Sequence, residues 1–233
     1  MVLRSLFAAA ALFCTHATAA GVQGTAFGFA SGTTGGGNAS PAAPKDLAEL
    51  KTWLSDDTPR VILIDKEFNF VGSEDTCTDC ECCIPESNTC GKSGQNAINT
   101  GSTDWCGSYP KTKCTYDKAG IEGLTVASDK SIVGVGSAGV LRGKGLSLTN
   151  GAQNVIIQNV HITELNPQYI WGGDAISLDG TDQIWIDHVK VSLVGRQMFV
   201  SGYKSSESEF LGVACLPVGI LFVANRALPQ AAV

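Results

Sequence analysis

Three stretches of this chain decide its fold class: SIVGVG at residues 131–136, VIIQNV at residues 155–160 and IWIDHV at residues 184–189. When they are laid over one another, Val133 matches Ile157, and Ile157 matches Ile186, at spacings of 24 and 29 residues. Self-similarity in this range is typical of solenoids, in which each repeat adds one turn of a coil. Short β-strands stacked from turn to turn predict an all-β fold, a parallel β-helix.

The other short strands follow the same pattern. From about residue 120 onward, apolar strands are separated by Gly, Asn or Asp, with nothing helical between them. An antiparallel sandwich would also contain many short strands. Two-residue hairpin signals are confined to Asn150-Gly151 and Asp179-Gly180, which favours the coil. Asn159 and Asp187 are predicted to lie where the coil bends, with their side chains hydrogen-bonded to the backbone.

One amphipathic helix precedes the strands. The stretch DLAELKTWLSD carries apolar residues at helical spacing: Leu47, Leu50, Trp53 and Leu54. Asp46 stands at its start, where an acid favours the helix dipole. The following RVILIDKEFNFVG predicts a strand.

The first residues predict export from the cell. Arg4 precedes an apolar run that ends in small residues near Ala20, as in a secretory signal peptide covering residues 1–20. The run is far shorter than the roughly 20 residues needed to span a bilayer, so no membrane anchor is expected. The sequon at Asn38 predicts a glycosylated, extracellular chain. The net charge of −6 argues against nucleic acid as a partner.

The cysteines are concentrated in one segment. Seven of the nine lie between Cys77 and Cys114. After a signal peptide, disulfides are the expected use. A zinc ribbon would need a second CxxC about 15–20 residues after the one in CTDCECC, and none is present.

Several stretches, taken in order, resemble the fungal and oomycete pectin lyases of the pectate lyase superfamily. They run from about residue 22 to about residue 206: TGGG, KSIVGVGSAG, LRGKGL, NVIIQNVHI, NPQYIWGGDAISLDG, IWIDHV and GRQMFVSG. The resemblance implies a right-handed parallel β-helix with a disulfide-rich loop. It also implies a secreted, monomeric carbon–oxygen lyase without a cofactor. That enzyme would cleave methyl-esterified α-1,4-galacturonan, the polymer of pectin, by β-elimination.

This chemistry needs a base for the C5 proton and positive charge near the developing oxyanion. The resemblance assigns Asp174 and Arg196 as catalytic residues, with Asp174 orienting Arg196 or the substrate and Arg196 polarising the uronate ester. Pectate lyases use calcium held by carboxylates for that charge, and an arginine at this place implies no metal. From the residues alone, Asp174 also suits a turn-capping role beside Gly172-Gly173.

The tryptophans divide into two groups. Trp171 and Trp105 match positions that line the cleft in the family, where flat rings bury the CH faces of sugars. Trp185 and Trp53 are predicted to be structural. His188 is also read as structural, because it lies within a core strand motif.

The resemblance extends to the cysteines. Cys83 and Cys106 match one bridge of the family, whereas Cys90 matches a cysteine whose partner lies further along the chain. The pairing of the other cysteines is left open.

After about residue 206 the resemblance stops. Residues 21–206 are expected to form a partial pectin lyase-like domain with an incomplete coil, and residues 207–233 an apolar tail that does not match the family. The family's further rungs and its proposed arginine base, in an SGRSP-like stretch, are absent from this sequence. The expectation is a shortened reading frame and a poorly soluble, inactive chain. Two alternatives stand beside a pectin lyase: a calcium-dependent pectate lyase, and a secreted, non-catalytic solenoid that binds polysaccharide.

Overall fold

The computed structural model describes residues 21–88, 94–99, 104–149 and 151–202, and the backbone of residues 211–216. The predicted signal peptide, Cys90 and the rest of the tail lie outside the described residues. In chain order, the first strands are β1 (Arg60–Ile64), β2 (Glu67–Asn69), β3 (Thr76–Cys83), β4 (Asn96–Ile98), β5 (Lys111–Asp117) and β6 (Leu124–Thr125). The next are β7 (Lys130–Gly134), β8 (Val140–Arg142), β9 (Leu146–Leu148), β10 (Gln153–Gln158), β11 (His161–Leu165) and β12 (Tyr169–Ile170). The last are β13 (Ile176–Asp179), β14 (Asp182–Asp187), β15 (Lys190–Val194), β16 (Val200–Gly202) and β17 (Leu211–Leu216).

Three parallel sheets form the faces of a coil. The first face is β1-β7-β10-β14-β17, the second is β2-β8-β11-β15 and the third is β6-β9-β13-β16. Along the chain, the strands visit the first, second and third faces in that order, turn after turn. Every pairing within these faces is parallel. The prediction of a parallel β-helix is confirmed.

An apolar column runs through the first face. Ile62, Ile132, Ile157 and Ile186 are register partners in successive turns, and none is more than 6% exposed. Val133 is therefore not the partner of Ile157, and the overlay of the sequence stretches was wrong by one residue at this turn. Successive side chains of a strand lie on opposite sides of the sheet, so Val133 does not lie on the same side as Ile132.

The corners of the coil have a left-handed backbone at matched positions in successive turns: Asp129, Asn154 and Gln183; Asn159 and His188; Glu164 and Leu193. Asn159 fits this conformation, and its Nδ2 donates to Gly134 O at 2.8 Å, as predicted. In the next turn the corner is His188, not Asp187. Asp187 is instead the last residue of its strand, where it accepts a 2.7 Å hydrogen bond from Gln158.

Helix α1 (Leu47–Ser55) packs against the first turn of the coil, as the sequence predicts. Asp46 caps it by accepting from Glu49 N at 2.8 Å. Leu50 and Leu54 are fully buried and join the central core. The stretch RVILIDKEFNFVG, predicted as one strand, forms two, β1 and β2, because the coil turns a corner between them.

Two buried lysines connect the helix and the turns to the coil. Lys130 is fully buried, and its Nζ donates to the carbonyl oxygens of Asp56, Thr58 and Ser128 at 2.7, 2.9 and 3.1 Å. Lys144, 5% exposed, donates to Glu74 at 2.8 Å. Each amine is thus matched by acceptors, as buried charge requires.

A side sheet is inserted into the first turn, between β2 and β6. Its order is β12-β4-β3-β5, with β3 antiparallel to both β4 and β5. Strand β12 comes from the third turn and pairs with β4 in parallel. The side sheet is therefore attached to the loop that precedes β13.

The first face continues beyond the predicted end of the coil. The backbone of β17 pairs in parallel with β14, with Leu211 opposite Asp182 and Leu216 opposite Asp187. The interpretation that the whole tail after residue 206 lacks a coil pattern is wrong for this strand. Its sequence, LGVACL, contains only three branched apolar residues, a short run that periodicity alone does not identify.

Candidate active site

Two loops stacked on one another carry the residues that the sequence singles out. Asp174 lies between β12 and β13, and Arg196 lies one turn later, between β15 and β16. The backbones are joined directly: Arg196 N donates to Gly173 O at 3.2 Å, and Ala175 N donates to Gln197 O at 3.0 Å. The coil thus brings two residues 22 positions apart to the same corner.

Glycines allow these loops to come so close. Gly173 has φ +143°, and a Cβ there would lie 2.0 Å from Gly120 O. A Cβ on Gly195 would lie 2.6 Å from Tyr169 O. Real Cβ atoms do not approach backbone atoms at such distances, so any larger residue would push the loops apart.

The side chains of Asp174 and Arg196 form an ion pair. Arg196 Nη1 donates to Asp174 Oδ2 at 3.3 Å, and Gln197 N donates to Asp174 Oδ1 at 3.0 Å. The two side chains are 21% and 32% exposed, respectively. Both carboxylate oxygens of Asp174 are thus engaged, and the guanidinium is held near the surface. The structure thus brings the two predicted residues into contact, and their catalytic roles stay a prediction.

Trp171 lies beneath the guanidinium. Cζ of Arg196 lies 3.9 Å from the centroid of the Trp171 ring, within the range of a cation–π contact. Trp105 meets the same ring edge-on, with centroids 5.7 Å apart and an interplanar angle of 74°. Trp171 Nε1 is buried without a hydrogen-bond partner.

The structure brings Trp171 and Trp105 together but gives both rings protein neighbours. Trp171 packs on apolar residues of the side sheet, including Ile98 and Ala97. Trp105 packs on Tyr109 and on the Cys83–Cys106 pair. Both tryptophans are half-buried. Their role as sugar-binding residues stays a prediction, and the face of Trp171 that stacks on Arg196 is occupied by the guanidinium.

Three disulfides hold the side sheet. Cys83 is joined to Cys106, the pair that the resemblance implies. The structure also joins Cys77 to Cys80 and Cys82 to Cys114, which the sequence left open. Disulfide chemistry rather than zinc ligation therefore accounts for these six cysteines.

Two polar residues that sequence reasoning missed connect the loops to the side sheet. The buried amide of Asn166 donates to Gly172 O at 2.8 Å and to Asp117 O at 2.9 Å, and accepts from Asp117 N at 2.9 Å. Gln95 Nε2 donates to Pro167 O at 2.8 Å and to Gly195 O at 3.1 Å. The left-handed backbone of Asn166 suits an asparagine, but no local signal links Gln95 to residues 72 and 100 positions away.

The donor set at this corner does not fit calcium. Calcium takes six to eight oxygen ligands, several of them carboxylates. Here Asp174 has an arginine beside it, and the part of the chain that the structure describes contains no group of three His, Cys, Asp or Glu residues placed to hold a metal.

His188 lies on a different face from this corner. Its side chain is 63% exposed, and its Nδ1 lies 2.7 Å from Asp187 Oδ1. His188 is therefore not in the core, and its interpretation as a structural residue stays a prediction. It borders a cavity of about 710 Å³ on the first face, together with Phe27, Val135 and Trp185. This cavity is separate from the Asp174–Arg196 pair.

Asn38 lies in an exposed turn, and its glycosylation stays a prediction. None of the helices in the described ranges is long and apolar enough to cross a membrane.

A coil of parallel strands, with a carboxylate–guanidinium pair at one corner, defines a parallel β-helix protein. A family profile described as pectate lyase matches residues 1–197. The chain belongs to the pectate lyase family. It is 75% identical over 206 residues to a probable pectin lyase F of Aspergillus flavus, covering 88% of this chain and 48% of that protein. It is 71% identical over 208 residues to a probable pectin lyase F of Aspergillus niger, covering 89% and 44%.

The chain spans about half the length of the curated relatives it matches. Among solved structures, it is similar to a polygalacturonate lyase fused with a self-assembling amphipathic peptide, at 14% identity and a TM-score of 0.49, covering 83% of this chain and 58% of that one. It is also similar to a Bacillus subtilis pectate lyase mutant, at 15% identity and a TM-score of 0.45, covering 83% and 65%. The fold assignment rests on the chain's own sheet topology.

Proposed function

We propose that this protein is a pectin lyase, which cleaves methyl-esterified α-1,4-galacturonan by β-elimination. The observation that carries the proposal is the guanidinium of Arg196, held by Asp174 where calcium-dependent lyases need carboxylates. The identity to proteins named probable pectin lyase F supports the same activity. A methyl ester is neutral, so a single cation suits it, and a chain with a net charge of −6 does not repel it.

In the proposed reaction, a base removes the C5 proton next to the ester carbonyl. The electrons of the C5–H bond form the C4–C5 double bond, the C4–O bond breaks, and the leaving oxygen takes up a proton. Negative charge develops on the carbonyl oxygen as the C5 proton departs. Arg196 would donate hydrogen bonds to that oxygen, and a preorganised charged donor is among the strongest contributions to catalysis.

Asp174 and Arg196 do not supply the base in this scheme. The carboxylate of Asp174 accepts from Arg196 with one oxygen and from Gln197 N with the other. An arginine remains protonated under ordinary conditions. Asp174 therefore orients the guanidinium, Arg196 stabilises the oxyanion, and proton abstraction belongs to a third group that we do not assign.

We further propose that the protein acts outside the cell as a monomer, with esterified pectin as its partner. Three disulfides among the described residues support an oxidising compartment.

The test is release of the unsaturated uronate, followed by its ultraviolet absorbance, from highly esterified pectin and from de-esterified polygalacturonate. The sequence predicts an inactive chain, but the coil holds Asp174 and Arg196 together, so we expect release from the esterified polymer, unaffected by a calcium chelator. Preference for polygalacturonate and loss with chelator would establish the calcium-dependent alternative. Binding of esterified pectin without product would establish the non-catalytic solenoid.

The substitution Arg196→Ala should abolish release without unfolding the protein. A matched control is Arg142→Ala on the second face. Arg142 is 35% exposed and pairs with Glu164 at 2.7 Å, so it resembles Arg196 in exposure and pairing. It should retain full activity.

A further inference from the structure

Arg196 is held by two different kinds of contact. Asp174 binds one end of the guanidinium through Nη1, and Cζ of Arg196 lies over the ring of Trp171, 3.9 Å from its centroid. A salt bridge alone leaves the guanidinium plane free to rotate about the contact, whereas stacking on an aromatic ring fixes that plane. The N–H groups that Asp174 does not use are then free to donate in a defined plane.

We propose that Trp171 is a positioning residue that sets the plane of the Arg196 guanidinium, rather than an open platform for a sugar ring. The consequence for catalysis rests on the proposed pectin lyase function. The stacking itself does not depend on that function.

The surroundings of Trp171 suit a fixed support. Its backbone is left-handed, with φ +66°, and the next residue is anchored by hydrogen bonds from Gly172 N to Tyr169 O and from Asn166 to Gly172 O. Trp105 meets the ring edge-on, and Trp105 is packed on the Cys83–Cys106 pair. The side sheet thus braces the indole from one side while Arg196 covers its face.

The chain contains a second group of the same composition, away from the site. Arg60 stacks on Trp53, with Cζ 5.1 Å from the ring centroid, and Arg60 Nε donates to Asp56 Oδ2 at 2.8 Å. This group lies between helix α1 and the first strand. It is a matched control for effects that arise from any stacked tryptophan–arginine pair.

The first measurement is the proton–nitrogen NMR signal of the Arg196 guanidinium, assigned by its disappearance in Arg196→Lys. Over an aromatic face, these protons are shifted upfield by the ring current. We expect the shift to be lost in Trp171→Leu, reduced in Trp171→Phe and unchanged in Trp53→Leu. An unchanged Arg196 signal in both Trp171 variants would overturn the proposal. Should Trp171→Leu fail to fold, Trp171→Phe still gives the intermediate shift that the proposal requires.

The second measurement is the rate of product release from esterified pectin. Trp171→Leu should lower kcat about tenfold with little change in KM, and Trp171→Phe should restore most of it, because the phenyl ring retains the stacking face. A raised KM with unchanged kcat would show a sugar platform and overturn the proposal. If the unaltered protein releases no product, the proposed function fails, while the NMR measurement still decides the role of Trp171.

Discussion

The carboxylate of Asp174 and the guanidinium of Arg196 meet across two consecutive turns of the coil, with 3.3 Å between Oδ2 and Nη1. The two residues are far apart in sequence, and no local interaction of the chain brings them together. The pair exists because each turn returns the chain to the same corner.

Removing the charge of Asp174 should affect function far more than stability. In Asp174→Asn, the amide oxygen still accepts from Gln197 N, but Arg196 loses its counter-charge. Pairs exposed to this extent contribute about 1 kcal/mol or less to folding, so urea unfolding should change little. The kcat for product release from esterified pectin should fall at least about tenfold, because the guanidinium is no longer held in place for the developing oxyanion. The exposed Asp57→Asn should change neither quantity, and equal kcat values in the two variants would refute the assignment of Asp174.

The Cys83–Cys106 disulfide should stabilise both the fold and the packing of Trp105. It closes a segment with a sequence separation of 23, and its removal by the double change Cys83→Ser and Cys106→Ser should cost about 3 kcal/mol. Near-ultraviolet circular dichroism should also change, because Trp105 packs on this pair.

The control is the double change Cys77→Ser and Cys80→Ser, which opens a bridge of separation 3 away from the tryptophans. It should leave the aromatic spectrum unaltered. Identical spectra for the two double variants would contradict the role given to the buried bridge.

The sequence predicts the features of this molecule that depend on local patterns better than those that depend on contacts between distant residues. The coil, helix α1 and the Asp174–Arg196 assignment follow from periodicity, capping and motif resemblance, which are local signals. The register at Val133 was wrong by one residue, because SIVGVG has apolar residues at both candidate positions. The contacts of Gln95 could not be predicted, since 72 and 100 positions separate it from its two partners in sequence.

Lys130 should be essential for folding. Its amine is fully buried and donates to three carbonyl oxygens, so Lys130→Met leaves those acceptors without their partner. The free energy of unfolding should fall by about 3–5 kcal/mol. Lys190→Met, at an exposed position of β15, should change it by less than about 0.5 kcal/mol. A Lys130→Met protein as stable as the control would show that these hydrogen bonds contribute nothing.

Acid should destabilise the protein partly through Glu74. Burial acts to raise the pKa of Glu74, but hydrogen bonds from Lys144 and Lys51 outweigh it and hold the pKa below its ordinary value of 4.5. The folded state therefore binds this proton less readily than the unfolded state does. The stabilisation is present above about pH 4.5 and is lost as the pH falls through the lower folded value.

Thermal unfolding measured between pH 7 and pH 3 tests this. Glu74→Gln should lower the melting temperature at pH 7 and flatten the slope of stability below pH 4.5. The exposed Glu86→Gln should retain the slope of the unaltered protein. A Glu74→Gln curve parallel to that of the control would exclude the linkage.

The side sheet enters the chain between β2 and β6, at one corner of the first turn, yet it delivers Trp105 and Gln95 to loops two and three turns further on. The stacking of the strands does not depend on the length of the segment inserted at that corner, because closing a longer loop adds little entropic cost. The side sheet can therefore be lengthened, shortened or exchanged while the ladder of strands stays as it is.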